Sequence, residues 1–79
     1  MADFWNTEIE VASFPKNGRG EELKVKKVTK GSKSFIDVRT FYPDRLTGEM
    51  LPGKGISIPT DLAGSVRDAI SKALDNGTL

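Results

Sequence analysis

Residues 7–14 (Thr7 to Phe14) set Ile9, Val11 and Ser13 in alternation with Glu8, Glu10 and Ala12, a period of two that predicts a strand with one wet face. Pro15-Lys16-Asn17-Gly18-Arg19-Gly20 is dense in ladder breakers and turn formers, and predicts a loop. In the next strand, about 22–30, Leu23 and Val25 share a face while Val28 falls on the other. That loss of phase predicts a bulge near Lys26-Lys27, because one extra residue reverses side-chain parity. Lys30-Gly31-Ser32-Lys33 makes a short hairpin turn. Residues 34–42 form the strongest strand, rich in β-branched and aromatic side chains, with Ile36, Val38, Thr40 and Tyr42 alternating with Phe35, Asp37, Arg39 and Phe41. After a polar loop from Pro43 to Gly48, a fourth strand spans about 50–58, irregular around Pro52-Gly53-Lys54-Gly55 and alternating at Ile56 and Ile58.

A helix over about 61–75 completes the chain. Thr60 is placed to cap it and Asp61 to meet the positive end of its dipole. Leu62, Val66, Ala69, Ile70, Ala73 and Leu74 recur on one face, and Asn76-Gly77 supplies a stop. The expected fold class is therefore α+β: a four-stranded antiparallel β-meander followed by one C-terminal α-helix. Such a helix is about 22 Å long at about 1.5 Å per residue, enough to cover only part of one sheet face. The other face stays open.

At 79 residues the chain has room for a single domain, 1–79. A domain this small buries only about 60% of its unfolded surface, so its core needs help from disulfides, a metal or a second chain. Cys and His are both absent, which removes disulfides, nearly every zinc site and all thiol or imidazole catalysis. Self-association remains. No catalytic residue, metal or cofactor is expected: no Ser, Thr, Lys or carboxylate stands at a spacing that suggests nucleophile and base. Asp37 is the one oddly placed acid, and its expected role is pairing with a Lys across the sheet. Gly18-Arg19-Gly20 lacks the spacing of a phosphate cradle. The longest apolar run is two residues, so no membrane segment or signal peptide is expected, and the absence of Cys is compatible with a reducing cytoplasm.

The net charge of +1 conceals a segregation: residues 1–14 carry −3, residues 15–39 carry +5 and residues 40–79 carry −1. A local basic stripe is the footprint of a polyanion partner, and also of a merely solvated lysine-rich face. Lys24, Lys26, Lys27, Lys30, Lys33 and Arg39 fall on the second and third strands and their hairpin, with Phe41 and Tyr42 at the end of the third. Cations hold phosphates, and an exposed ring stacks a base only where that base is unpaired, which points to single strands. The helix carries only Arg67 and Lys72 between acids, unlike a duplex-reading helix. On residues alone, Phe41 as core and Tyr42 as a strand-end anchor stays open. Phe4 and Trp5 are expected as an N-terminal strand or as an extension of the stacking surface.

The run Ile36-Asp37-Val38-Arg39-Thr40-Phe41-Tyr42, then Gly48-Glu49-Met50, then Pro52-Gly53-Lys54-Gly55-Ile56-Ser57-Ile58 and a helix, resembles the C-terminal domain of the transcriptional coactivator positive cofactor four and its bacterial and phage relatives. The resemblance covers residues 8–74 in element order. It implies a curved sheet backed by the helix, a homodimer formed through helix and sheet edge, and single-stranded DNA lying across the sheets. By position it implies that Arg39, Tyr42 and Lys54 contact nucleic acid, Tyr42 standing where relatives often have Trp. A second stacking ring of the family falls near Lys30, which implies a phosphate contact in place of a base platform. Arg39 and Tyr42 face opposite sides of a regular strand, so a strong twist or a bulge near Thr40 is needed to unite them, or one of the two is not a contact.

The long Ser-rich and acidic N-terminal tail of eukaryotic coactivators is missing here, which favours a compact microbial or phage version. Its expected location is then cytoplasmic and nucleoid-associated, or nuclear in a eukaryote. The overall expectation is non-enzymatic single-stranded DNA binding with low sequence specificity, in transcription regulation or DNA replication and repair. Transcription or replication proteins are possible further partners. The alternatives are a protein-interaction module and a single-stranded RNA binder, since stacking ignores the sugar unless a group reads the 2′-hydroxyl.

Overall fold

The structure, a computed structural model, describes residues 4–76. The element order is the expected one: β1 (Thr7–Pro15), β2 (Glu22–Lys30), β3 (Lys33–Pro43), β4 (Met50–Pro59) and α1 (Thr60–Asn76). The strands form one antiparallel sheet in sequence order, so β2 and β3 are central and β1 and β4 are edges. The β2–β3 turn closes on the pair Lys30 and Lys33, with Gly31 at φ 62°, a backbone region glycine enters without steric cost. Of the expected helix stop, Asn76 ends α1 and Gly77 lies outside the described residues.

The irregularity expected in the fourth strand around Pro52-Gly53-Lys54-Gly55 is present, whereas the bulge expected near Lys26-Lys27 lies in the neighbouring strand. β2 and β3 pair residue for residue from Glu22 opposite Phe41 to Lys30 opposite Lys33, so no bulge interrupts Lys26-Lys27 or Thr40. The first irregularity is in β1, where Glu10 opposes Lys26 and Ala12 opposes Val25, leaving Val11 as the extra residue. The second is in β4, where Gly55 opposes Arg39 and Pro52 opposes Phe41. A central strand keeps two ladders in step, whereas an edge strand can take an unpaired residue at the cost of one. The Val11 bulge also corrects the expected alternation of β1: Ser13 joins Glu8 and Glu10, and Ala12 joins Ile9.

The sheet therefore has two chemically distinct faces. One carries Ile9, Phe14, Leu23, Val25, Ile36, Val38 and Ile58; we call it the aliphatic face. The other carries Glu8, Glu10, Lys24, Lys26, Val28, Phe35, Asp37, Arg39, Phe41 and Ser57; we call it the groove face. Val28 thus breaks the phase of β2 by burying itself on the groove face, opposite Phe35, and it is the core residue with no exposure.

The helix touches only β3 and β4. Thr60 begins it, with its hydroxyl 3.1 Å from Ser34 Oγ, and Ala63, Gly64 and Val66 are half-buried. The rest of the apolar stripe is open: Leu62, Ile70 and Leu74 are 51%, 57% and 76% exposed. The sheet matches this openness, with Ile9, Val11, Phe14 and Ile56 all more than half exposed. The result is a plate of 42 × 37 × 17 Å whose radius of gyration is 14.4 Å, against about 11.6 Å for a compact chain of this length. Its surface is 6049 Å², on the order of 1,300 Å² above the roughly 4,700 Å² of a typical monomer of its mass.

Candidate nucleic-acid interface

Strand register assembles the groove face from three neighbouring strands: Lys24 opposes Arg39 and Lys26 opposes Asp37 across β2–β3, while Ser57 opposes Asp37 across β3–β4. A groove of about 860 Å³ opens here. Lys26, Asp37, Arg39, Phe41 and Ser57 line it, Met50 to Gly53 form one wall, and Phe4 and Trp5 stand at its rim. That wall starts from a turn pinned by Asp44, whose Oδ2 accepts from the Thr47 amide at 3.0 Å and the Thr47 hydroxyl at 2.9 Å. Those bonds hold the Asp44 carboxyl below its ordinary value.

At the centre is a fully engaged polar cluster. Asp37, only 3% exposed, accepts from Arg39 Nε at 3.0 Å, Arg39 Nη2 at 2.8 Å and Ser57 Oγ at 2.7 Å. The expected Lys partner of Asp37 is thus replaced by an Arg two residues along its own strand, whose planar fork fits a carboxylate at two points. Burial works against the charge of Asp37, but the bonds from Arg39 and Ser57, with the nearby charges of Arg39 and Lys26, prevail and hold its pKa below the ordinary value. The bond to Asp37 correspondingly raises the pKa of Arg39. Arg39 Nη1 also donates to the Gly53 carbonyl at 2.9 Å. Arg39 therefore ties the β4 bulge to β3.

The lysines of this face are engaged as well. Lys24 Nζ lies 3.1 Å from Glu10 and 3.2 Å from Glu22, and Lys26 Nζ lies 3.0 Å from Glu8. The bond to Glu10, supported by Glu22 and opposed by desolvation, raises the pKa of Lys24. Both ammonium groups also sit over the Phe41 ring, Lys26 at 4.6 Å and Lys24 at 5.7 Å from its centroid, within cation–π range. Lys30 donates to the Phe4 carbonyl at 2.6 Å and lies 4.5 Å over the Phe4 ring. Phe4 and Trp5 are not a strand: they stack edge to face, and Trp5 leans on Phe35 with centroids 5.6 Å apart.

The sequence-derived candidates thus divide. Lys24, Lys26, Lys30, Lys33, Arg39 and Phe41 are in phase on the groove face. Lys27 is opposite Ile9 and Ile36 and belongs to the aliphatic face. Tyr42 follows it by parity, because β3 keeps step with β2, so Arg39 and Tyr42 point to opposite sides. Tyr42 is 41% exposed, with its ring against Gly53 at the sheet's end, and Lys54 is exposed in the adjoining bulge. Lys27, Lys33 and Lys54 have no ion-pair partner among the described residues. Sequence reasoning missed Ser57, the Gly53 carbonyl and the pairing of Glu8 and Glu10 with the lysines. Only the last left a signal, in the opposite charges of the first two strands.

Residues 18–69 match the family of the transcriptional coactivator p15 (PC4). The chain belongs to the PC4 family. That match spans β2, β3, β4 and the first part of α1, and it includes the groove residues from Lys26 to Ser57 but not Phe4, Trp5 and Glu8. No curated protein and no solved structure matches the chain. PC4 membership carries DNA binding and transcription regulation as the coarse function, in a family of coactivators rather than enzymes. Among the described residues of this PC4-family chain no helix is long and apolar enough to cross a membrane, and no group of acidic residues is arranged to hold a metal.

Proposed function

We propose that the chain is a homodimeric, non-enzymatic binder of single-stranded DNA with little sequence preference, serving transcription regulation or DNA replication and repair. The observation that carries the reading is the gathering of Lys24, Lys26, Lys30, Lys33, Arg39 and Phe41 on one face of a PC4-family sheet, around an open groove. The strand's backbone runs along that face, where Lys30 and Lys33 meet phosphates at the hairpin end. At the other end Lys54 takes a phosphate, and Tyr42, exposed at the rim, stacks a base that comes over the edge of β4. The groove-face residue Phe41 contributes through its apolar edge, because Lys26 covers its ring. Lys27, on the aliphatic face, contributes to the general positive field. Arg39 acts mainly by fixing the groove wall at Gly53.

A second copy covers the aliphatic side. The surplus surface, on the order of 1,300 Å² per chain, would give an interface of roughly 2,600 Å² in a pair, within the range of obligate dimers. Leu62, Ile70 and Leu74 on the helix and Ile56 on the sheet supply its apolar contacts.

Titration of labelled oligo-dT, an equal-length duplex and oligo-U tests the ligand class. The reading expects oligo-dT to bind tighter than duplex, with affinity falling as salt rises. Tyr42→Ala should weaken oligo-dT binding by about 1–3 kcal/mol, the worth of one stacked base. Equal affinity for duplex, or no salt dependence, would overturn the reading, and preference for oligo-U would move the natural ligand to RNA.

A further inference from the structure

The charge segregation of the sequence becomes a contact in the fold. β1 carries Glu8 and Glu10 on the same face as Lys24 and Lys26 of β2, and each lysine is already bonded: Lys24 to Glu10 and Glu22, Lys26 to Glu8. Both lysine side chains are largely covered, with exposures of 16%. With Asp37 included, four carboxylates stand among the five cations of the groove face.

A phosphate that approaches Lys24 or Lys26 must displace a carboxylate, and that carboxylate stays tethered beside it. Opposition of this kind grows with the ligand's charge density. A duplex carries one charge per about 1.7 Å of axis on a rigid frame and hides its bases. A single strand can shift its phosphates away from the acids and still gain from stacking.

We infer that Glu8 and Glu10 are specificity-determining residues of this surface, holding it to single strands by opposing duplex phosphates at Lys24 and Lys26. The inference rests on the proposed single-strand reading. It also fixes a salt signature. A lysine whose charge is cancelled by an adjacent carboxylate neutralises no phosphate and releases no counterion, so Lys24 and Lys26 add nothing to the salt slope until the acids are removed.

The test compares the full chain with Glu8→Gln/Glu10→Gln and with a charge-matched control on the exposed helix, Asp68→Asn/Asp75→Asn. Fluorescence anisotropy follows labelled oligo-dT and an equal-length duplex over a series of salt concentrations, with thermal melts to verify folding. The groove variant should tighten oligo-dT binding roughly threefold and duplex binding roughly tenfold, from surface ion pairs each worth up to about a factor of five. Its salt slope should steepen by about 0.7 for the single strand and about 0.9 for the duplex as Lys26 is freed, Lys24 keeping Glu22 as its partner. Single Glu8→Gln repeats the test at Lys26 alone, whose ion pair is with Glu8. Unchanged affinity and slope, equal gains for both ligands, or the same gains in the helix control would each overturn the inference. A wild-type chain that binds neither ligand while the groove variant binds oligo-dT would overturn the functional reading and leave the opposing role of the acids standing. Failure of both proteins to bind would overturn both.

Discussion

Asp37→Ala is the sharpest probe of what holds the sheet together. It removes the acceptor of three hydrogen bonds, leaves the Arg39 guanidinium without its carboxylate and loosens the groove wall that Arg39 holds at Gly53. Deleting one partner of a buried ion pair costs about 3–5 kcal/mol. Arg39 retains 25% side-chain exposure, so water recovers part of the loss, and the expected cost is about 2–3 kcal/mol. In a domain of this size about 1 kcal/mol moves Tm by about 4–8 °C, which makes a drop of roughly 10–20 °C. The assay is thermal unfolding by circular dichroism at one fixed protein concentration, for Asp37→Ala, Arg39→Met and the double variant. Once either partner is gone, removing the other should cost little, so the double variant should fall short of the summed single costs by at least about 1 kcal/mol. A Tm loss under about 4 °C for Asp37→Ala, or strict additivity, would refute the reasoning.

The same carboxylate predicts a pH dependence. Its folded pKa lies below the ordinary value of 3.8, so its contribution is complete above that value and is lost as pH falls through the folded pKa; Asp37→Asn should flatten this acid limb in melts taken between neutral and strongly acid pH. Gly55→Ala should destabilise by at least about 2 kcal/mol in chemical denaturation, because the new Cβ would stand 2.5 Å from the Val38 carbonyl oxygen and 2.6 Å from Arg39 Cα. Ile70→Lys/Leu74→Lys places charge on the exposed apolar stripe of the helix and should shift the mass measured by light scattering from dimer to monomer; an unchanged mass would remove the helix from the interface.

The element order was legible in the chain because each strand declares itself by alternation or β-branched content, and the helix by its stripe from Leu62 to Leu74. The faces of β3 followed directly from its period of two. The irregularity of β4 was legible in Pro52-Gly53-Lys54-Gly55, but the bulge of β1 was not: a phase slip at Lys26-Lys27 says that two neighbouring ladders disagree, and only the topology reveals that β1, the edge, absorbs the extra residue. The site was half legible. Lysines two apart on a strand share a face whatever their partners, so the basic stripe was visible. Its partial cancellation by Glu8 and Glu10 depends on β1 lying beside β2 in the observed register, which separated segments of sequence do not specify. The Arg39–Asp37 pair likewise competes with every nearby lysine until geometry selects the planar fork.

The most direct test of the central claim, that the groove face receives the single strand, is amide chemical-shift mapping of the chain during titration with oligo-dT. The account predicts shifts concentrated at Lys24–Lys33, Asp37–Tyr42 and Pro52–Ser57, with Leu62–Leu74 of the helix nearly still. Shifts centred on Leu62–Leu74 of the helix, with Lys24–Lys33, Asp37–Tyr42 and Pro52–Ser57 silent, would contradict it.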